Sequence, residues 1–170
     1  TFPSRFILVA AQNPCPCGYL GDSRHVCTCK QAAIDSYRRK ISGPLMDRID
    51  MQINLTRVDF SELKDKKPGE ASATIRQRVV QARLIQQERL EKWGMHCNAQ
   101  MGRSEVVKYC KLGSDAQAVM EKYFNILNLS ARSHDRILKV ARTIADLAGC
   151  ENIEPAHLAE AVTLRTSNRC

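Results

Sequence analysis

Four cysteines crowd into fifteen residues: Cys15, Cys17, Cys27 and Cys29, in the pattern C-x-C-x9-C-x-C. Four thiolates complete a tetrahedral Zn²⁺ site. Two close pairs on one short loop can converge on a single ion with little loss of chain entropy. Gly18 and Gly21 allow that loop to turn tightly. Each pair is one residue tighter than the common C-x2-C. His25 is available to replace one cysteine, and Arg24 and Lys30 offset part of the charge of a four-thiolate site. A site of four thiolates leaves no position open for water, so the expected role of the metal is structural. Two other readings of the same residues stay open: four reduced, unliganded thiols in a loop, or disulfides formed after purification. Cys97, Cys110, Cys150 and Cys170 are scattered and read as buried or incidental.

The elements around this cluster follow from apolar spacing. Residues 6–11 form a continuous apolar run with β-branched members, which suits a strand buried on both faces. Residues 49–55 alternate Ile49, Met51, Ile53 and Leu55 with Asp50, Gln52 and Asn54, a second strand signature. Between them, residues 31–41 read as a short helix closed by Ser42-Gly43-Pro44. Residues 59–72 are polar, with Lys64 to Lys67 followed by Pro68-Gly69, and read as a linker. Helices are expected over 74–93, 104–112 and 115–127, the first with Ile75, Val79, Ala82 and Leu90 near one face. Ser130 is a good N-cap and Gly149 a good stop for the next helix, and Pro155 opens a last one. The expected architecture is therefore an α/β piece, the end of a larger parallel sheet, followed by an all-helical bundle.

Composition narrows the class. At 170 residues, with 44% apolar and 26% charged residues, the chain can build a core, and wholesale disorder is not expected. No apolar run approaches the roughly twenty residues of a membrane span. No signal peptide is visible, so a cytoplasmic location is expected. The net charge is +8, spread as +3, +3 and +2 over residues 1–60, 61–100 and 101–170. Such a charge permits a phosphate-rich partner and equally serves solubility. Arg76, Arg78, Arg83 and Arg89 are placed to track phosphates, though such a set commonly forms a solvated helix face. His134 and His157 are lone histidines and receive no role.

The strings NPCPCG, SGPLMDRID and LSAR, with the helical stretch 129–149, resemble one family: the magnesium-chelatase-like AAA+ ATPases of the ComM (YifB) group. The resemblance covers nearly the whole chain. It implies a ring-forming, ATP- and Mg²⁺-dependent motor, a hexamer of identical subunits when full length, that acts on DNA in branch migration. It implies residues 1–58 as the end of the AAA+ core with its Cys-rich loop, 59–72 as linker and 73–170 as helical lid. Asn13 would be the sensor 1 residue, Arg48 the arginine finger reaching a neighbouring subunit's ATP, and Arg132 the sensor 2 arginine on the phosphates. Read without the family, Asn13 before Pro14 is a turn residue, Arg48 between Asp47 and Asp50 a surface ion pair, and Arg132 a cation mildly disfavoured at a helix start.

Neither G-x-x-x-x-G-K-[ST] nor an apolar strand ending in Asp-Glu occurs. The phosphate-cradling loop and the Mg²⁺-holding carboxylates are thus expected upstream of Thr1, in a longer chain from which this one is cut. This chain alone is expected not to hydrolyse ATP. Two further readings are a magnesium chelatase motor subunit and a free-standing, zinc-stabilised nucleic-acid-binding module.

Overall fold

A computed structural model describes residues 6–55, 58 and 69–166. The chain divides into two compact units, residues 1–46 and 47–170. Most of the expected linker, residues 59–68, lies outside the described residues.

The first unit holds the cysteine loop, then α1 (Gln31–Arg39) and the single-turn α2 (Gly43–Met46). Cys15 and Ile34 are its buried apolar side chains. α1 ends on Arg38 and Arg39, which favour the negative end of the helix dipole.

The second unit is a helical bundle: α3 (Ser72–Leu90), α4 (Arg103–Tyr109), α5 (Ser114–Ile126), α6 (Ala131–Leu147) and α7 (Pro155–Thr166). Two 3₁₀ turns, Glu91–Trp93 and Asn98–Gln100, lead from α3 to α4. α6 lies at the centre. Its Ile137, Leu138, Ala141 and Ala145 share one core with Leu158, Ala161 and Val162 of α7, and with Leu90, Met101, Val106 and Met120.

Local chemistry sets the ends of α6. The Ser130 hydroxyl accepts a bond from the Ser133 N–H at 3.1 Å, satisfying an otherwise unpaired donor. At the other end Gly149 takes φ +69°, Cys150 N–H donates to the Ala145 carbonyl, and Gly149 N–H to that of Asp146. This paired closure requires a left-handed residue, which glycine adopts without a Cβ clash.

Two expectations need correction. The α/β reading fails: among the described residues there is no strand and no sheet, only an isolated bridge between Leu112 and Ile153. Residues 6–11 and 49–55 enter no ladder, and Ile7 and Leu55 are about 90% exposed. Apolar alternation marks a face suited to burial, but a strand exists only where another supplies matching N–H and C=O groups. The second segment bonds a helix end instead: Gln52 N–H donates to the Leu164 carbonyl in the last turn of α7 at 2.6 Å. The apolar face expected on α3 is also only half correct. Ile75 and Val79 are exposed, whereas Ala82, Gln86 and Leu90 are buried at successive four-residue steps.

Candidate functional site

The cysteine centre is built by two turns. Gly18 N–H donates to the Cys15 carbonyl and Asp22 N–H to that of Tyr19. Gly18 and Gly21 both take φ +83°, so the chain reverses between the cysteine pairs with no Cβ to obstruct it. Asp22 Oδ1 accepts the N–H groups of Arg24 and His25 at 2.8 and 2.9 Å and holds the far side of the loop. The His25 ring stacks on Tyr19 with centroids 4.9 Å apart.

The four sulfurs of Cys15, Cys17, Cys27 and Cys29 lie within 4.8 Å of one another. Cys15 is 3.3 Å from Cys17 and 3.6 Å from Cys27, and Cys17 is 3.5 Å from Cys27. A tetrahedral zinc with bonds of about 2.3 Å requires sulfurs about 3.8 Å apart, so the donor set fits that ion. The Tyr19 N–H pulls the Cys17 thiol down to about 6, helped by contacts from Cys15 and Cys29 and the Thr28 N–H against the cost of burial. Cys27 moves the other way. The Cys29 N–H lowers it, but burial and the three neighbouring sulfurs win and raise it to about 12. Crowded thiols resist losing further protons unless a cation takes up the charge.

Asn13 lies in the same unit, exposed, with its side-chain amide beside Gly18. Arg48 and Arg132 lie in the second unit. Arg48 is exposed on the turn that follows α2, and Arg132 is exposed at the second position of α6.

Arg132 lines a cavity of about 890 Å³ between α4, α6 and the 50–51 segment. Met51, Met101, Val140 and Leu164 supply apolar wall, while Arg103, Arg136 and Lys139 bring further positive charge. All three of these cations are engaged: Arg103 pairs with Asp135, Arg136 with Asp50, and Lys139 Nζ donates to the Ala99 carbonyl at 3.3 Å. An apolar wall beside cations suits an amphipathic anion, with a ring on the wall and phosphates at the rim.

Sequence reading missed the residues that join these parts. Arg165, 6% exposed, donates to the carbonyls of Ile49 and Asp47 at 2.6 and 3.0 Å and to the Ser133 hydroxyl at 3.2 Å. Arg89, assigned above to a solvated set, instead reaches the buried Asp146. The signal was present in the spacing. Arg165 continues the buried stripe of Leu158, Ala161 and Val162, and Arg142 and Asp146 interrupt that of Leu138, Ala141 and Ala145. A charge on a buried stripe implies a partner.

Residues 69–165 match the family model of the magnesium chelatase subunit ChlI C-terminal region, and residues 1–63 that of magnesium chelatase, subunit ChlI. The chain belongs to this magnesium chelatase ChlI family, as the resemblance carried by NPCPCG, DRID and LSAR implied. It is 40% identical over 169 residues to competence protein ComM of Haemophilus influenzae, covering 99% of this chain and 32% of that protein. The uncharacterized protein YifB of Escherichia coli is 40% identical over 170 residues, with the same coverage of 99% and 32%. YifB of Salmonella typhimurium is 38% identical over 170 residues, again covering 99% and 32%. The chain spans about a third of the length of these curated relatives. Among the described residues no helix is long and apolar enough to cross a membrane.

Proposed function

We propose that this chain contributes sensing and coupling residues to a ring-forming AAA+ ATPase of the ComM type that works on DNA. The phosphate loop and the Mg²⁺-holding carboxylates are supplied by other parts of the longer protein. The observation that carries the reading is the position of Arg132, exposed at the start of α6 on the rim of an amphipathic cavity. Family membership along nearly the whole chain supports it.

Bound ATP with Mg²⁺ supplies the phosphoryl chemistry. Arg132 holds the phosphates of its own subunit's nucleotide. Arg48, exposed on its turn, reaches the neighbouring subunit's site and offsets charge developing there. Asn13 orients the attacking water from the end of the 6–11 segment. Zinc held by Cys15, Cys17, Cys27 and Cys29 fixes the loop that follows Asn13, and the close fit of the sulfur separations supports that role.

The test is steady-state ATP hydrolysis by the full-length protein. Arg48→Ala is expected to lower kcat by about 10³-fold, the scale of a lost arginine finger. Mixing Arg48→Ala subunits with subunits disabled in the phosphate loop is expected to restore part of the activity, because each supplies what the other lacks. Unchanged turnover in Arg48→Ala overturns the finger assignment, and no ATP hydrolysis by the full-length protein overturns the motor reading. Stimulation by branched DNA, and none by a porphyrin, separates the DNA motor from a chelatase. Zinc binding and DNA binding with no hydrolysis by the full-length protein favours the free-standing module.

A further inference from the structure

The two arginines assigned to nucleotide sit on elements joined by a third. Arg48 lies between Asp47 and Ile49, and both flanking carbonyls accept bonds from the Arg165 guanidinium. Arg132 lies between Ser130 and Ser133. The Ser133 hydroxyl accepts from Arg165, and Ser133 is tied to Ser130 through both its N–H and its hydroxyl. Arg165 and Ser133 are buried, at 6% and 1% exposure. A planar guanidinium presents its donors in a fixed fork, so it sets the distance between the groups it bridges. A second tie runs parallel: Arg136, one turn beyond Arg132, pairs with Asp50, and Gln52 N–H bonds the end of the helix that carries Arg165.

We propose that Arg165 is a positioning residue that holds the Arg48 turn in register with the Arg132 helix. Movement of the helix on its own subunit's nucleotide is thereby transmitted to the arginine that reads the neighbour's. This rests on the roles given to Arg48 and Arg132 above. The coupling is mechanical: the bridge is short and buried, so α6 and the 47–50 turn shift together.

The experiment is a double-mutant cycle in the full-length protein, read as kcat and KM for ATP. Arg165→Lys keeps the charge but cannot span both carbonyls and the hydroxyl. It is expected to lower kcat about tenfold with KM changed less than about twofold. In an Arg48→Ala background the same substitution is expected to change kcat by less than about twofold, because the group it positions is already gone. Amide exchange is expected to accelerate about tenfold over residues 47–52 and to stay unchanged over 137–145. Equal loss of kcat in both backgrounds, no loss at all, or faster exchange throughout the bundle each overturns the proposal. If Arg48→Ala itself leaves kcat intact, the finger assignment is what fails, and the coupling fails with it.

Discussion

Arg89 reaches the carboxylate of Asp146 with two nitrogens, at 3.0 and 2.5 Å, and the Asp146 side chain is wholly buried. Arg142 Nε adds a third bond at 3.0 Å and Asn98 Nδ2 a fourth at 2.8 Å. Arg142 also donates to the carbonyls of Cys150 and Glu151. One carboxylate thus anchors α3, the 3₁₀ turn at Asn98 and the C-terminal half of α6. Removing it leaves two guanidinium groups without their counter-charge. Asp146→Ala is expected to destabilise the second unit by about 3–5 kcal/mol, measured by urea unfolding. A change below about 1 kcal/mol would contradict this account.

The acid limb of stability has identifiable sources. The Ser104 hydroxyl, with the Gly102 N–H at 2.7 Å, holds the Glu105 carboxyl below its ordinary 4.5. Burial raises Asp135, but bonds from Arg103 and His134 outweigh it and hold it below its ordinary 3.8. A carboxylate with a depressed folded value contributes stability that is present above the unfolded value and lost as pH falls through the folded one. The thermal midpoint is therefore expected to stay level down to about pH 5 and to drop below about pH 4. Glu105→Gln with Asp135→Asn should flatten that drop, and an unchanged acid limb would place its origin elsewhere.

Metal analysis of the reduced chain is expected to return about one zinc per molecule. Cys15→Ser or Cys27→Ser should lower it to a small fraction. Protons compete with the metal for sulfur, so retention should fall as pH is lowered. Chelation should loosen the 15–29 loop in amide exchange and leave α6 and α7 unaffected. Full retention of zinc in both serine variants would exclude this cluster as its site.

The caps of α6 should be measurable singly. Ser130→Ala is expected to cost about 1 kcal/mol. Gly149→Ala is expected to cost about 1–2 kcal/mol, because alanine must adopt φ +69° there. In the core, Leu158, fully buried between α7 and its neighbours, should cost about 2–5 kcal/mol on replacement by alanine. Thermal or urea unfolding of each variant checks these values.

Much of the bundle was legible in the residue pattern. Ser130 and Gly149 mark helix ends through bonds to backbone groups within a few residues, and Pro155 through its fixed φ and missing N–H, so no distant partner is needed to read them. The cysteine cluster was legible for the same reason: both pairs and both turning glycines lie in one short loop. The strands were misread because their evidence was one-sided. The 6–11 and 49–55 segments carry strand-like apolar patterns, yet the described residues offer them no pairing edge.

By itself, then, the sequence determined that the second unit is built of these helices and roughly where they lie, which thiols gather, and which family the chain resembles. These depend on neighbours in the chain or on short strings of residues. The helix expected over 74–93 spans Ser72–Leu90 and that over 104–112 spans Arg103–Tyr109. The tertiary structure alone decided that Arg165 would grip the backbone on both sides of Arg48, that Arg89 would find Asp146, and that Ile75 and Val79 would remain outside the core. A buried charge must be neutralised or hydrogen-bonded, and the periodicity of its own helix says only that a partner is required. Which residue serves is settled when distant segments pack.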